Sequence, residues 1–318
     1  MSNLKKLSFC FSLLNFCMLF ANENEDFRFA YISYSTTNVG DDIQAIAAKR
    51  FLPPSCINLD RDLISEVMPS TRVKALMNGW YMHGKNMFWE RFDRSPPEKA
   101  WPPAAGIDPF FISIHLDGQF VPTALSEEGV AYFKQYAPIG ARDLFTLEEL
   151  QKKDIPSYFS GCLTLTLDNP YLGNPRDEIV YLVDLDEDSV RYIKSKTKCK
   201  VITVAHCSAV LALLDNERRL KYAEVLLDKY RKAKCVVANR LHVILPCLAF
   251  ETPVLSLCNG KTGRFSGLSE IMRSCSREEL LAGEVDFDFD NPPENSKAYL
   301  PIRENLIKLV TDWVNTES

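Results

Sequence analysis

Residues 235–257 read CVVANRLHVILPCLAFETPVLSL. Cys235 to Ala238 is a short apolar run, the pattern of a strand buried on both faces. Asn239 and Arg240 interrupt it, His242 to Phe250 has the length and composition of a buried helix, and Pro253 to Leu257 is a second apolar run. Strand, helix and strand in direct succession imply a parallel crossover unit.

The same alternation extends in both directions. Upstream lie a strand at Ile179 to Val183, a helix at Asp188 to Lys196, a strand at Lys200 to Ala205, and a long helix at Asn216 to Lys232. That helix places Leu220, Ala223, Leu226, Leu227 and Tyr230 on one face. Ser266 to Arg273 and Leu300 to Val314 read as helices. Nearer the N-terminus, strand patterns occur at Phe29 to Tyr34, Ser55 to Leu59, Ala75 to Tyr81, Phe110 to Leu116 and Tyr158 to Leu167. Helical spacing of Ile43, Ile46, Ala47 and Phe51, and the segment Glu127 to Tyr136, supply helices between them. Asp168 to Pro175 is a cluster of turn formers and the candidate hinge. The reading is therefore an α/β protein of two Rossmann-like lobes with parallel sheets, covering residues 29–170 and 176–318.

In 318 residues, 46% are hydrophobic and 25% charged, which suffices for a sizeable core. The net charge of -5 and the lack of a long Lys/Arg run argue against a nucleic-acid partner. Lys5 and Lys6 precede an apolar segment of about 14 residues that ends before Ala21 and an acidic stretch. Residues 1–21 therefore read as a signal peptide or signal-anchor, with a buried helix as the alternative; a membrane is expected only through that segment. The ten cysteines form no CxxC pair, and several sit in apolar elements as small hydrophobes. Their usage suits a reducing compartment and the leader suits a secretory or periplasmic one, so the sequence leaves the compartment open.

In open parallel sheets, ligands gather beyond the carboxyl ends of the strands. Three such places carry chemistry. After the first strand come Asn38, Val39, Gly40, Asp41 and Asp42; Gly40 permits a tight turn, and free N–H groups at the helix start could receive an anion or a sugar hydroxyl. A simple cap by Asn38 or Asp41 is the other reading. Arg142 follows a strand end in Gly140-Ala141-Arg142-Asp143, either as an exposed cleft arginine for carboxylate or phosphate, or as a local salt-bridge partner of Asp143 or Glu148. Arg240, Leu241 and His242 end the strand quoted above, placing a permanent cation beside an imidazole able to exchange protons near neutrality. Lys261, Arg264, His115 and His83 are secondary candidates. Trp80, Phe88 and Trp89 are aromatic surfaces for a sugar face or for ordinary packing. No metal-ligand cluster is visible.

Taken in order, Asn38-Val39-Gly40-Asp41-Asp42-Ile43-Gln44, Ile139-Gly140-Ala141-Arg142-Asp143, and Asn239-Arg240-Leu241-His242 followed by Thr252-Pro253-Val254 resemble the polysaccharide pyruvyl transferases. Tyr158 to Leu165 and Arg264 to Leu268 look like the same family. The resemblance implies a two-lobed fold like that of GT-B glycosyltransferases. It also implies transfer of pyruvate from phosphoenolpyruvate to a pair of hydroxyls on a glycan acceptor, with a ketal formed and phosphate released. It assigns donor binding to Arg142 and to the Leu241–His242 pair, and it calls for no cofactor or metal. One departure is plain: many members carry Gly-Asp-Pro where this chain has Ser160-Gly161-Cys162. Two other functions fit the same architecture, a nucleotide-sugar glycosyltransferase and a non-catalytic carbohydrate-binding protein. No GxGxxG or other nucleotide signature favours the former.

Overall fold

The computed structural model describes residues 27–66, 72–82, 100–258 and 263–316. The leader at 1–21, His83, Phe88, Trp89 and Lys261 lie outside the described residues. The first half runs β1 (Phe27–Ser33), α1 (Val39–Lys49), β2 (Ile57–Asp60), β3 (Arg72–Leu76), β4 (Gly79–Tyr81), β5 (Ile107–Phe110), β6 (Ile114–Leu116), α2 (Val121–Ala124), α3 (Glu127–Gln135), β7 (Ile139–Ala141), α4 (Leu144–Gln151) and β8 (Ser157–Phe159). The second runs β9 (Ile179–Val183), α5 (Glu187–Ser195), β10 (Lys200–Val204), α6 (Asn216–Lys232), β11 (Cys235–Ala238), α7 (Leu241–Ala249), β12 (Val254–Ser256), α8 (Arg277–Ala282) and α9 (Leu300–Asn315).

Among the described residues the strands form three four-stranded sheets, ordered β2-β1-β3-β5, β4-β6-β7-β8 and β10-β9-β11-β12. Their pairing is parallel throughout. The α/β class with parallel sheets in both halves is as the sequence reads.

Two sheets in the first half arise because its expected strands are broken. The path from Ala75 to Tyr81 is interrupted at Met77 and Asn78, and that from Phe110 to Leu116 at Phe111 to Ser113. Gly79 has φ +151°, and a Cβ there would lie 2.4 Å from the Tyr34 hydroxyl, which donates to the Asn78 carbonyl. Each path thus leaves one sheet and enters the next. The strand expected from Tyr158 to Leu167 stops at Phe159, since Gly161 turns the chain at φ +71° beneath Ile302 of α9. The expected helix at 266–273 is replaced by turns, with 3-10 turns at Gly263–Phe265 and Ser269–Ile271 and Gly267 at φ +78° between them.

Helix α9 crosses to the first half. Trp313 stacks on Phe110 at 5.2 Å between ring centroids, and Arg303 donates to the carbonyls of Leu165 and Leu167, both at 2.7 Å. On the other side α1 packs against α6. Arg219 of α6 is 1% exposed and donates two 2.9 Å bonds to the Asp42 carboxylate. Its remaining nitrogen donates to the carbonyls of Thr36 (2.6 Å) and Leu211 (2.7 Å). The backbones of the two halves also meet, Val39 N–H donating to the His206 carbonyl and Ser208 N–H to that of Thr37, each at 2.9 Å. The eight described cysteines are all free, and Cys162, Cys235, Cys247 and Cys275 are buried as small hydrophobes. No helix among the described residues is long and apolar enough to cross a membrane.

Candidate active site

Strand β7 ends at Ala141, and the next residue, Arg142, points into the seam between the halves. Its own N–H donates to the Ile114 carbonyl at 2.7 Å, which fixes the base of the side chain. The guanidinium is 1% exposed, so the expectation of an exposed cleft arginine is corrected. It is buried because α1 and α7 close over it. Nη1 lies 3.3 Å from Gln44 Oε1, to which it donates, and 3.5 Å from His242 Nε2. Nε lies 3.5 Å from Asp143 Oδ2 without a hydrogen bond. Replacing Arg142 by alanine would therefore open a core cavity as well as remove a charge.

His242 comes from the other half, in the first turn of α7, where its φ of -82° and ψ of 19° depart from the helix. The ring sits against α1. A Cβ on Gly40 would lie 3.2 Å from His242 Nδ1 and 3.3 Å from its Cβ, so the missing side chain makes room for the imidazole. The N–H groups at the start of α1 are not open to an anion. Val39 N–H is taken by His206, Gly40 N–H by Asn38 Oδ1 at 3.0 Å, and Asp41 N–H by the Asn38 carbonyl at 3.2 Å. Asn38 is thus the helix cap. Asp41 is buried and accepts from the Thr36 hydroxyl (2.7 Å) and from the Gln44 amide nitrogen Nε2 (3.3 Å), which turns the Gln44 oxygen toward Arg142. Leu241 is a buried core residue.

Arg240 lies at the seam's edge, half-buried. Its Nε donates to Asp184 Oδ2 at 2.7 Å and its Nη2 faces Cys207 Sγ at 3.5 Å. Arg264 reaches across from the second half and stacks over the Trp80 ring, 5.2 Å from its centroid. Ser266, two residues on, fastens this segment to the first half: its carbonyl accepts from Leu144 N–H (3.2 Å) and its hydroxyl oxygen from Phe145 N–H (3.1 Å). Burial lowers the Arg264 pKa, and the positive charges of Arg142 and Arg240 lower it further. The three guanidinium groups thus share one field. Burial, Arg142 and Arg264 together hold His242 well below the ordinary histidine range, so its imidazole is neutral at pH 7.

His115, on β6, is also drawn into this network. Its Nδ1 lies 2.7 Å from Asp143 Oδ2 and 3.2 Å from Thr146 Oγ1. Gln44, Asp143, Asp184 and Trp80 are the neighbours that hold these side chains; the sequence names Asp143 only as a possible ion partner of Arg142 and gives no role to Gln44 or Asp184. Where the family often has Gly-Asp-Pro, the Ser160 hydroxyl accepts from Ser113 N–H and donates to the Ala141 carbonyl, both at 3.0 Å, bracing the strand end that carries Arg142.

His206 is buried at the seam against the Tyr230 hydroxyl, 2.8 Å from Nε2, and burial pushes its pKa down to about 4. The unfolded chain titrates this group at 6.5, so its contribution to stability is present above that pH and is lost as pH falls toward 4. Between pH 7 and pH 5 the stability difference between the wild type and His206→Gln should shrink by about 2 kcal/mol. Urea midpoints measured across that range check it; a constant difference would mean that the folded protein protonates His206 freely.

Comparison with known proteins follows the same residues. A profile of the polysaccharide pyruvyl transferase family matches residues 38–259, well over half of the chain. No curated protein sequence matches. Among solved structures, the S. aureus MnaA–UDP co-structure is similar at 11% identity with a TM-score of 0.44, over 91% of this chain and 97% of that one. A putative UDP-N-acetylglucosamine 2-epimerase from Listeria monocytogenes is similar at 12% identity with a TM-score of 0.44, over 91% and 98%. The Methanocaldococcus jannaschii UDP-GlcNAc 2-epimerase in complex with UDP-GlcNAc and UDP stands at 10% identity and a TM-score of 0.37, over 91% and 93%. Gly40, Gln44, His115, Arg142, Asp143, Arg240 and His242, which the fold gathers at one seam, all fall within the span matched by the family profile, and the chain belongs to the polysaccharide pyruvyl transferase family.

Proposed function

We propose that this protein transfers the pyruvyl group of phosphoenolpyruvate to two hydroxyls of a glycan sugar, forming a ketal and releasing phosphate. The observation that carries this reading is the convergence of Arg142 and Arg264 on the neutral imidazole of His242, with Arg240 adding its charge beside Arg264. Phosphoenolpyruvate is compact and carries a carboxylate and a phosphate, so it can occupy several guanidinium groups at once. Those groups also stabilise the charge that gathers on the departing phosphate.

Donor binding changes the site in a useful direction. Cations beside His242 disfavour its protonation; an anionic donor seated among them reverses part of that field and raises the imidazole's pKa. Binding thus brings a proton to His242, which can deliver it to the methylene carbon of the enolpyruvyl group. Gln44 and Asp41 hold Arg142 in place during this step.

The test is phosphate release from phosphoenolpyruvate across a panel of galactosyl, mannosyl and N-acetylhexosaminyl acceptors, with a UDP-sugar as competing donor. Acceptor-dependent phosphate release, unaffected by the UDP-sugar, is expected. Release of UDP with no use of phosphoenolpyruvate would identify a glycosyltransferase, and glycan binding without either product would identify a binding protein.

A further inference from the structure

Two proton transfers are needed at this site, and His242 accounts for one. The reaction must also remove protons from the attacking hydroxyls. Beside Arg142 stands a second imidazole, that of His115, 5% exposed on β6. Its partner Asp143 is fully buried at the cap of α4, where Oδ1 accepts from Thr146 N–H at 2.9 Å. Thr146 Oγ1 in turn accepts from Leu116 N–H at 3.1 Å, so the whole group is anchored to the backbone of β6 and α4.

The tautomer follows from these contacts. The Asp143 carboxylate oxygen 2.7 Å from Nδ1 favours the proton there, with Thr146 Oγ1 as the second neighbour at 3.2 Å, and so favours the lone pair on Nε2. Burial would raise the Asp143 pKa, but His115 and Arg142 outweigh it and keep the carboxyl ionised. Burial and Arg142 lower the pKa of His115, so the imidazole is neutral and free to accept a proton. Among the described residues the ring's polar contacts, with Asp143 and Thr146, are both at Nδ1. A neutral imidazole held in one orientation can serve as a general base.

Its place fits that use. Arg142 lies between the two histidines, with Nη1 3.5 Å from His242 Nε2 and Nε 3.5 Å from the Asp143 oxygen that holds His115. A donor bound to Arg142 therefore has one imidazole on each flank. The Trp80 ring, 6.1 Å from that of His115 between centroids, offers an aromatic surface beside the base.

We infer that His115, oriented by Asp143, is the base that takes the proton of the first acceptor hydroxyl; the inference rests on the reading given under Proposed function. As the acceptor oxygen bonds to C2 of the enolpyruvyl group, its proton passes to His115 Nε2, and the C2–C3 π pair takes a proton from His242 at C3. The C2–O bond to phosphate then breaks with its electron pair on the phosphate. The second hydroxyl adds to C2, and its proton leaves with the phosphate. Exchange with water returns the proton from His115 and resets the site.

The experiment compares the full-length wild type with His115→Gln, His115→Ala and Asp143→Asn, reading melting temperature, phosphoenolpyruvate affinity and acceptor-dependent phosphate release. His115→Gln should stay folded and bind phosphoenolpyruvate normally, while turnover at saturating acceptor falls by about 10²–10⁴-fold. Added imidazole should restore part of the rate to His115→Ala, in proportion to its neutral form, which a structural histidine would not allow. Asp143→Asn, which keeps the cap but disturbs the tautomer, should lose turnover in the same direction. A folded His115→Gln with turnover close to wild type overturns the inference alone. A wild type that uses no phosphoenolpyruvate with any acceptor overturns the donor reading and this inference together.

Discussion

His242→Gln should lower phosphate release by about 10²–10⁴-fold while leaving fold and donor affinity largely intact. Glutamine approximates the size and polarity of the imidazole, and its amide oxygen can take up the contact with Arg142 Nη1, the polar neighbour of His242 Nε2 at 3.5 Å. The arginines proposed to hold the donor remain. What is lost is a group that can gain a proton when the donor arrives and surrender it to carbon. The wild type should therefore take up about one proton on binding phosphoenolpyruvate near neutral pH, and the variant markedly less. Calorimetry in buffers of different ionisation enthalpy counts these protons. A loss of affinity with turnover preserved at saturating donor would make His242 a binding residue, and normal turnover in the folded variant would remove it from the mechanism.

The largest effect on stability is expected in the same first turn of α1, where it meets α6. Arg219 and Asp42 are both about fully buried, at 1% exposure each, and their paired 2.9 Å bonds join the two halves. Arg219→Met would leave the Asp42 carboxyl, whose pKa burial raises to about 7 against the pull of Arg219, without its cation and strip the Thr36 and Leu211 carbonyls of a donor. Breaking a buried pair from one side costs about 3–5 kcal/mol. Removing both charges, as in Asp42→Leu with Arg219→Met, should cost much less, because no unpaired charge stays behind. Denaturant midpoints of the single and double variants measure this. If the single variant is destabilised by under about 1 kcal/mol, the pair does not hold the halves together as the geometry requires.

Much of this protein is legible in its sequence, for reasons that can be named. The apolar runs at 179–183 and 235–238 are long enough and buried enough to identify parallel strands. Arg142 and His242 stand out since each directly follows a strand or opens the helix after one. The strand breaks near Asn78 and Ser113 are harder to read, because they depend on Tyr34 and Ser160, which are distant in the chain. The same holds for Gln44 and Asp184: their importance comes from contacts with Arg142 and Arg240, 98 and 56 residues away. Burial of Arg142 was equally hidden, since α1 and α7 cover it only in the folded chain. Gly40 shows both sides of this. Its glycine reads as a turn former, whereas its work in the fold is to leave space for an imidazole from the other half.

The account's central claim is pyruvyl transfer through cleavage of the bond between C2 and the bridging oxygen of phosphoenolpyruvate. Donor labelled with ¹⁸O at that oxygen, incubated with protein and a responsive acceptor, tests it most directly. The account predicts that the label leaves with the inorganic phosphate and that the glycan gains an unlabelled pyruvate ketal. Label retained in free pyruvate, with no change in the glycan, would mean that the protein merely hydrolyses the phosphate ester, and would contradict the account.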